Sequence, residues 1–404
     1  MFRSKFNGSA RGGWEGRVCR ILFNVIADED NYNAQSLNAR EIALRLDPAK
    51  FHSSLFFTTK PDPRLLQPGI RLIKLPAHRK TLKILREMLR AHDFIFYIDL
   101  SPASYLYLHL PRFLRRSTQS VLCIEGSRGN MDGASESLRR YANYVRQHAD
   151  IIVAISEFLA WDLNDAHGLK PNCIISVGVD TKLFSPPAAR DHATTTVLFV
   201  GHLTERKGPQ LVLEAARSFP EVHFRIVGYA RDDFGRNLKR LSHPAKLANV
   251  SIEEPVPQVQ LAGIMQQSDI LLLPSRIEGV PKVTLEAAAS GLPSVVFDDY
   301  QTPSVVDGVT GFQVKTFTEM VDRLRLLISD RALRLSMSAA AIKHAKRFDW
   351  DGIASLWAAL FRGVEDLDSI TPQSNNTTLA NLSAKDIIEI KNFASHEQKS
   401  LPAE

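Results

Sequence analysis

The chain has 404 residues, 44% of them hydrophobic and 23% charged, with a formal net charge of +6 at pH 7. That length is enough for two domains, each with its own core, and the composition excludes wholesale disorder. No apolar run reaches bilayer-spanning length, and the basic, Gly-rich start MFRSKFNGSARGGWEGR lacks the apolar core of a secretory signal, so a cytoplasmic protein is expected. Cys19, Cys123 and Cys173 lie in apolar, strand-like runs with neither metal-ligand nor redox spacing and read as reduced core residues.

Strand patterns alternate with helical ones from the start, which argues for parallel sheets with helices on both faces. In the first half, strands are expected at residues 18–27, 53–59, 70–75, 94–100, 120–125, 151–155 and 173–177, with a helix at 37–46. Pro186 and Pro187, with the polar run to Thr196, mark a linker. The second half repeats the alternation with strands at 196–200, 224–228, 250–252, 270–273 and 294–297. FDWDGIASLWAALF from Phe348 has the pattern of an amphipathic helix, and from about Asp366 the chain turns polar and rich in Asn, Ser and Thr, as in a flexible tail with a short helix near 384–393. The expected domains are 1–185, 186–347, a C-terminal helix at 348–365 and a tail at 366–404.

Much of the positive charge sits in HRKTLKILREMLR (78–90) and RFLRR (112–116). A basic face of this kind suits anionic lipid headgroups or nucleic acid. With no RNA-type aromatic signature nearby, peripheral contact with an anionic membrane surface ranks above nucleic acid, and no nucleic-acid partner is expected. A solvated helix face accounts for the same residues equally well.

The most informative stretch is DILLLPSRIEGVPKVTLEAAASG, from Asp269 to Gly291. The apolar run 269–275 reads as a buried parallel strand and 276–280 as a loop. Residues 281–290 read as a helix that Pro281 opens and Gly291 closes. Such a unit aims the positive end of a helix at the carboxyl edge of the sheet, where an anion is expected. Glu278 in the loop and Glu286 in the second helical turn bracket it. Sugar or ribose hydroxyls are suitable donors to both, although two glutamates at this spacing also arise as one loop acid and one helix-surface acid. Asp28-Glu29-Asp30 matches an Asp-x-Asp metal string, but three acids after a strand more often form a solvated loop, and no metal is expected.

PSRIEGVPKVTLEAAASGLPSVV resembles the nucleotide-sugar site of the GT-B retaining glycosyltransferases of the family 4 type, glycosyl transferases group 1, whose signature is Glu, seven residues, Glu. VLFVGHLTERKGPQLVLEAA (197–216) resembles the family's strand, phosphate loop and helix, and DGVTGFQV (307–314) its closing turn. The resemblance implies two Rossmann-like parallel-sheet domains facing across a cleft, with a C-terminal helix crossing back to the first. It also implies transfer of a sugar, with retention, from a nucleotide diphosphate sugar to a hydroxyl on a glycan or lipid-linked acceptor. Surface-polysaccharide or lipopolysaccharide synthesis at the inner face of a membrane is the implied setting. No cofactor is implied, the nucleotide sugar being a substrate.

By the same resemblance Lys207 holds the diphosphate, Glu278 orients the donor sugar, Glu286 takes the ribose hydroxyls, and the backbone of Gly279, Val280, Pro281, Lys282 and Val283 faces the distal phosphate. A surface role remains open for Lys207 and Lys282. His202 stands where the family usually has arginine, and Arg206 beside it supplies charge. Gly228 allows close approach of the nucleotide, and Tyr229 either stacks on the base or lines the loop. The first half matches less well: no glycine opens the loop after its first strand and no histidine follows the strand ending at Ile124, which leaves Glu125 and Arg128 as acceptor-side candidates. Two other functions fit the same residues, a GT-B hydrolase or epimerase of sugar nucleotides and a non-catalytic sugar-nucleotide-binding subunit. No Gly-x-Gly-x-x-Gly follows the first strand, against a dinucleotide-dependent dehydrogenase.

Overall fold

The computed structural model describes residues 17–31, 33–97, 101–115, 117–127, 134–189, 194–230, 232–241 and 247–363. The polar tail and the short helix expected at 384–393 lie outside them. The chain divides into two compact units, the first within Met1–Asp180, Ile277–Lys282 and Phe348–Ser369, the second within Thr181–Arg276, Val283–Arg347 and Ile370–Glu404.

The first unit runs β1 (Cys19–Ile26), α1 (Ala34–Arg45), β2 (Phe51–Phe57), β3 (Ile70–Lys74), α2 (Lys80–Met88), β4 (Phe94–Tyr97), α3 (Pro102–His109), β5 (Gln119–Ile124), α4 (Glu136–His148), β6 (Ile151–Ala154), α5 (Glu157–His167) and β7 (Cys173–Ile174). Its seven described strands pair in parallel in the order β3-β2-β1-β4-β5-β6-β7. FIFY in β4 and IIVA in β6 are buried at every position, as strands covered on both faces must be. The steps from β1 to β3 run one way along the sheet and those from β3 onward run the other. Right-handed crossovers therefore place α1 on one face and α2, α3 and α4 on the opposite face. Packing agrees: α2 lies against α3 and α3 against α4, while α1 packs on α12 (Trp350–Phe361).

Local sequence explains the helix ends. Side chains of Asn33, Ser101 and Ser135 accept hydrogen bonds from first-turn amides of α1, α3 and α4. Helix α12 is capped by Asp349 and is apolar nearly all round. Its Trp357 ring lies 5.2 Å from Phe96, and its Phe361 ring 5.3 Å from Phe94. Asp28 does not reach out as part of an acidic cluster. Its carboxylate accepts from the Thr58 amide and hydroxyl and the Thr59 amide, which ties the ends of β1 and β2 together. Burial pushes that carboxyl up, but these hydrogen bonds outweigh burial and hold it below the usual carboxylate range. No disulfide joins the three cysteines.

The second unit runs β8 (Thr196–Val200), α6 (Pro209–Arg217), β9 (His223–Val227), α7 (Asp233–Leu241), β10 (Val250–Glu253), α8 (Gln258–Gln266), β11 (Ile270–Leu273), α9 (Lys282–Ala289), β12 (Ser294–Phe297), β13 (Gly311–Val314), α10 (Phe317–Ser329) and α11 (Arg331–Ala345). Its six described strands are parallel in the order β10-β9-β8-β11-β12-β13. Most expected strands lie within two residues of their observed ends. The seventh, expected to run to Val177, stops at Ile174, and β4 is described only to Tyr97. Strand β13 is the omission: GFQV was expected only as part of a closing turn. It pairs with β12 because Gly311 has no Cβ, which would sit 2.1 Å from the Ser294 carbonyl oxygen. Among the described residues, no helix is long and apolar enough to cross a membrane.

One buried charge anchors α2. Glu87, with its side chain fully buried, pairs with Arg71 (3.2 Å), Lys83 (3.2 Å) and Arg90 (3.3 Å). Burial pushes its carboxyl up, but the Lys83 hydrogen bond and the charges of Arg71 and Arg90 outweigh it and hold the group below its ordinary value of 4.5. A depressed folded pKa adds stability above the unfolded value that is lost as pH falls through the folded one. Glu87→Gln is expected to cost about 2 kcal/mol near neutral pH, with the gap to wild type closing below about pH 4.5. Urea denaturation at both pH values checks this, and a gap that does not change with pH would refute it.

Candidate functional site

In the second unit the strand order reverses between β8 and β11, which pair directly, Ile270 opposite Val197 and Leu271 opposite Leu198. Open parallel sheets bind ligands outside the carboxyl ends of the strands at such a reversal. The loops leaving those two ends are Gly201–Gly208 and the stretch from Pro274 to Pro281, and they carry most of the residues singled out from sequence.

These loops are held main chain against main chain. Gly208, at φ +74°, ends a 3-10 turn over Glu205–Lys207 and leads into Pro209 at the first position of α6. A Cβ on Gly208 would sit 2.2 Å from the Pro274 carbonyl oxygen. The Ser275 hydroxyl donates to the Arg206 carbonyl (3.4 Å), on the same side of the joint. One strand over, a Cβ on Gly228 would sit 2.0 Å from the Gly201 carbonyl oxygen, and the Leu203 amide donates to the Tyr229 carbonyl (3.0 Å). The loops after β8, β9 and β11 thus meet at this edge. Their side chains differ in exposure: His202, Arg206 and Tyr229 are exposed, Lys207 is half-buried and Gly228 is buried.

Helix α9 begins at Lys282 after Pro281, so its first amides lack intrahelical partners and carry the positive end of the helix dipole. Val283 is half-buried in that first turn, whose Thr284 hydroxyl bonds Ser304 (2.5 Å). Glu286 is 7% exposed among Leu285, Ala287, Ala288 and Ala289, all buried, and Glu278 is also 7% exposed. Neither glutamate is a solvated surface acid.

Residues Ile277–Lys282 group with the first unit. There Gly279 packs so closely that a Cβ would lie 2.2 Å from the Glu125 carbonyl oxygen, and Val280 and Pro281 are buried. The Lys282 ammonium donates to Asn38 Oδ1 (3.0 Å) and lies 4.8 Å from the Trp350 ring centroid. Asn38 Nδ2 in turn donates to Glu125 Oε2 (3.1 Å). Glu125, Asn38 and Trp350 border a cavity with room for about one water molecule. Arg128 lies outside the described residues. Sequence inspection did not single out Asn38, because a buried amide in AQSLNAREIALR looks like a solvated one. Trp350 registered only as an aromatic residue of an amphipathic helix.

The Gly208 joint makes a test. Gly208→Ala combines a left-handed backbone with a clash against main chain and is expected to lower stability by about 2–3 kcal/mol. Chemical denaturation reads this directly, and a variant as stable as wild type would show that the loops do not depend on the contact.

Residues 180–344 match the family model described as Glycosyl transferases group 1. The chain is 30% identical over 248 residues to a D-inositol 3-phosphate glycosyltransferase of Corynebacterium aurimucosum, covering 55% of this chain and 58% of the relative. To that of Mycobacterium leprae it is 30% identical over 255 residues, covering 57% and 59%. The match thus spans less than two thirds of the length of either relative. Among solved structures, sucrose-phosphate synthase from Thermosynechococcus elongatus superposes with a TM-score of 0.72 at 18% identity, over 86% of this chain and 99% of that one. Anabaena HepE in complex with UDP and glucose gives 0.71 at 17% identity, over 86% and 100%. At such identities the likeness is one of fold. The family match is confined to residues 180–344, and with its two all-parallel Rossmann-like sheets the chain has the GT-B fold.

Proposed function

We propose that the protein transfers a sugar from a nucleotide diphosphate sugar to a hydroxyl acceptor, with retention at the anomeric carbon. The observation that carries this is the reversal point between β8 and β11, where a loop with Arg206 and Lys207 is pinned to the chain that continues into Glu278, the start of α9 and Glu286. Positive side chains and the amino-terminal end of a helix suit a diphosphate leaving group, and two buried carboxylates suit sugar and ribose hydroxyls. The UDP and glucose named for HepE support a nucleotide sugar as donor.

In this mechanism the bond from the anomeric carbon to the phosphate oxygen breaks, and the departing diphosphate gathers charge. Lys207, with Arg206 and the first amides of α9, stabilises that charge, so these residues supply electrostatic assistance as the bond lengthens. Glu278 orients the sugar by accepting from its hydroxyls, and Glu286 holds the ribose. The acceptor hydroxyl attacks the same face and gives its proton to the leaving phosphate oxygen, so no enzymic nucleophile is required. Lys282, engaged by Asn38 and Trp350, contributes its backbone rather than its ammonium.

Cell-surface polysaccharide or lipopolysaccharide synthesis is the proposed setting. The relatives named for D-inositol 3-phosphate favour a second acceptor reading, a phosphorylated polyol. Thermal shifts with a panel of nucleotide sugars should single out one donor, since a tight ligand stabilises only the folded state. Glu278→Ala is expected to abolish transfer with the fold retained, and full activity in that variant would remove Glu278 from the mechanism. Glu286→Ala should weaken nucleotide binding roughly ten- to hundredfold by calorimetry. Release of free sugar from donor alone would favour a hydrolase, and binding without turnover across acceptors a non-catalytic subunit. The product's anomeric configuration, read by NMR, tests retention.

A further inference from the structure

The α2–α3–α4 face of the first unit combines two features that a solvated surface does not need. The first is exposed apolar bulk. Leu82 on α2 is 60% exposed and Leu106 on α3 is 45%, while Phe113 and Leu114, in the turn after α3, are 79% and 46% exposed. Single exposed apolar residues are ordinary, but four on neighbouring elements of one layer are not. The second is uncompensated positive charge. Residues 76–116 hold eight Lys and Arg against three acids. One of those acids, Glu87, is buried and takes Arg71, Lys83 and Arg90 as partners. Arg112 pairs with Asp150. Arg79, Lys80 and Arg86 are exposed and form no ion pair with any acid among the described residues.

Helical spacing puts the two features together. Leu82 and Arg86 are four positions apart on α2, so they lie along one outward stripe of the helix, and Arg79 and Lys80 stand at its amino-terminal end. Apolar side chains ringed by unpaired bases match the acyl boundary and the negative headgroups of an anionic bilayer surface. Nucleic acid would match the charge but would leave the four apolar tips without a role.

We propose that this face docks the protein on an anionic lipid bilayer, with Leu82, Leu106, Phe113 and Leu114 entering the interface and Arg79, Lys80 and Arg86 engaging the headgroups. The surface shares no residue with the candidate donor site, so the proposal stands or falls independently of sugar transfer.

The test uses the full chain with vesicles of phosphatidylcholine alone or mixed with phosphatidylglycerol. Co-sedimentation is expected with the mixed vesicles and not with phosphatidylcholine, and it should weaken as salt rises. Replacing Arg79, Lys80 and Arg86 together by Gln should lower the partition coefficient about 100-fold. Phe113→Ser should lower it about tenfold or more with an unchanged melting temperature. Phe113→Trp should shift its fluorescence to the blue only with the mixed vesicles. Equal binding to both vesicle types, unchanged partition in the triple variant or in Phe113→Ser, no fluorescence shift, or tighter retention on nucleic acid than on vesicles would each overturn the proposal.

Discussion

Main-chain contact at the carboxyl edge of the second sheet sets the course of the loops that carry His202, Arg206, Lys207, Gly228 and Tyr229. Gly208 lies on the Pro274 carbonyl and Gly228 on the Gly201 carbonyl, so the loops after β8, β9 and β11 approach more closely than side chains would allow. The left-handed turn at Gly208 releases the chain into α6 at Pro209, and it leaves Arg206 and Lys207 on the loop side of the joint. With peptide planes as its walls, the edge offers amides and carbonyls at fixed positions before any side chain is added. That is what a site for a charged leaving group requires, because donors already aligned need not reorganise as charge develops.

Much of this was legible in the sequence because it rests on strong local signals. Short apolar runs bounded by polar and turn residues read as strands covered on both faces, and ILLL, SVVF and TVLFV all form where expected. Proline and glycine marked the bounds of α9, and the segment that carries Glu278 and Glu286 has the strand–loop–helix form read from it. Less was legible where contact joins distant segments. The bond from Lys282 to Asn38 spans 244 positions, and no periodicity announces it. Strand β13 opens with a glycine and has four residues, so turn chemistry masked a ladder position that only its partner β12 specifies.

Charge is used in two ways within the first unit. Buried acids are committed inward: Glu87 gathers three bases, and Asp62 takes the Arg40 guanidinium, itself nearly fully buried, at 3.2 Å. Such pairs fix helix position and strand register and leave nothing for a ligand. The bases that remain outward on α2, Lys80 and Arg86, pair with no acid among the described residues, so the interior arrangement decides which part of a generally basic stretch acts on the surroundings.

Helix α12 belongs to the first unit although the second unit's sequence precedes it. Its Trp357 and Phe361 close the apolar face of β1 and β4, and Trp350 fills the space beside Gly178. During synthesis, that hydrophobic face therefore stays open while some 170 residues of intervening chain leave the ribosome. The amino-terminal half cannot mature as an independent early module, and the nascent chain must be kept from aggregating until its last aromatic helix arrives.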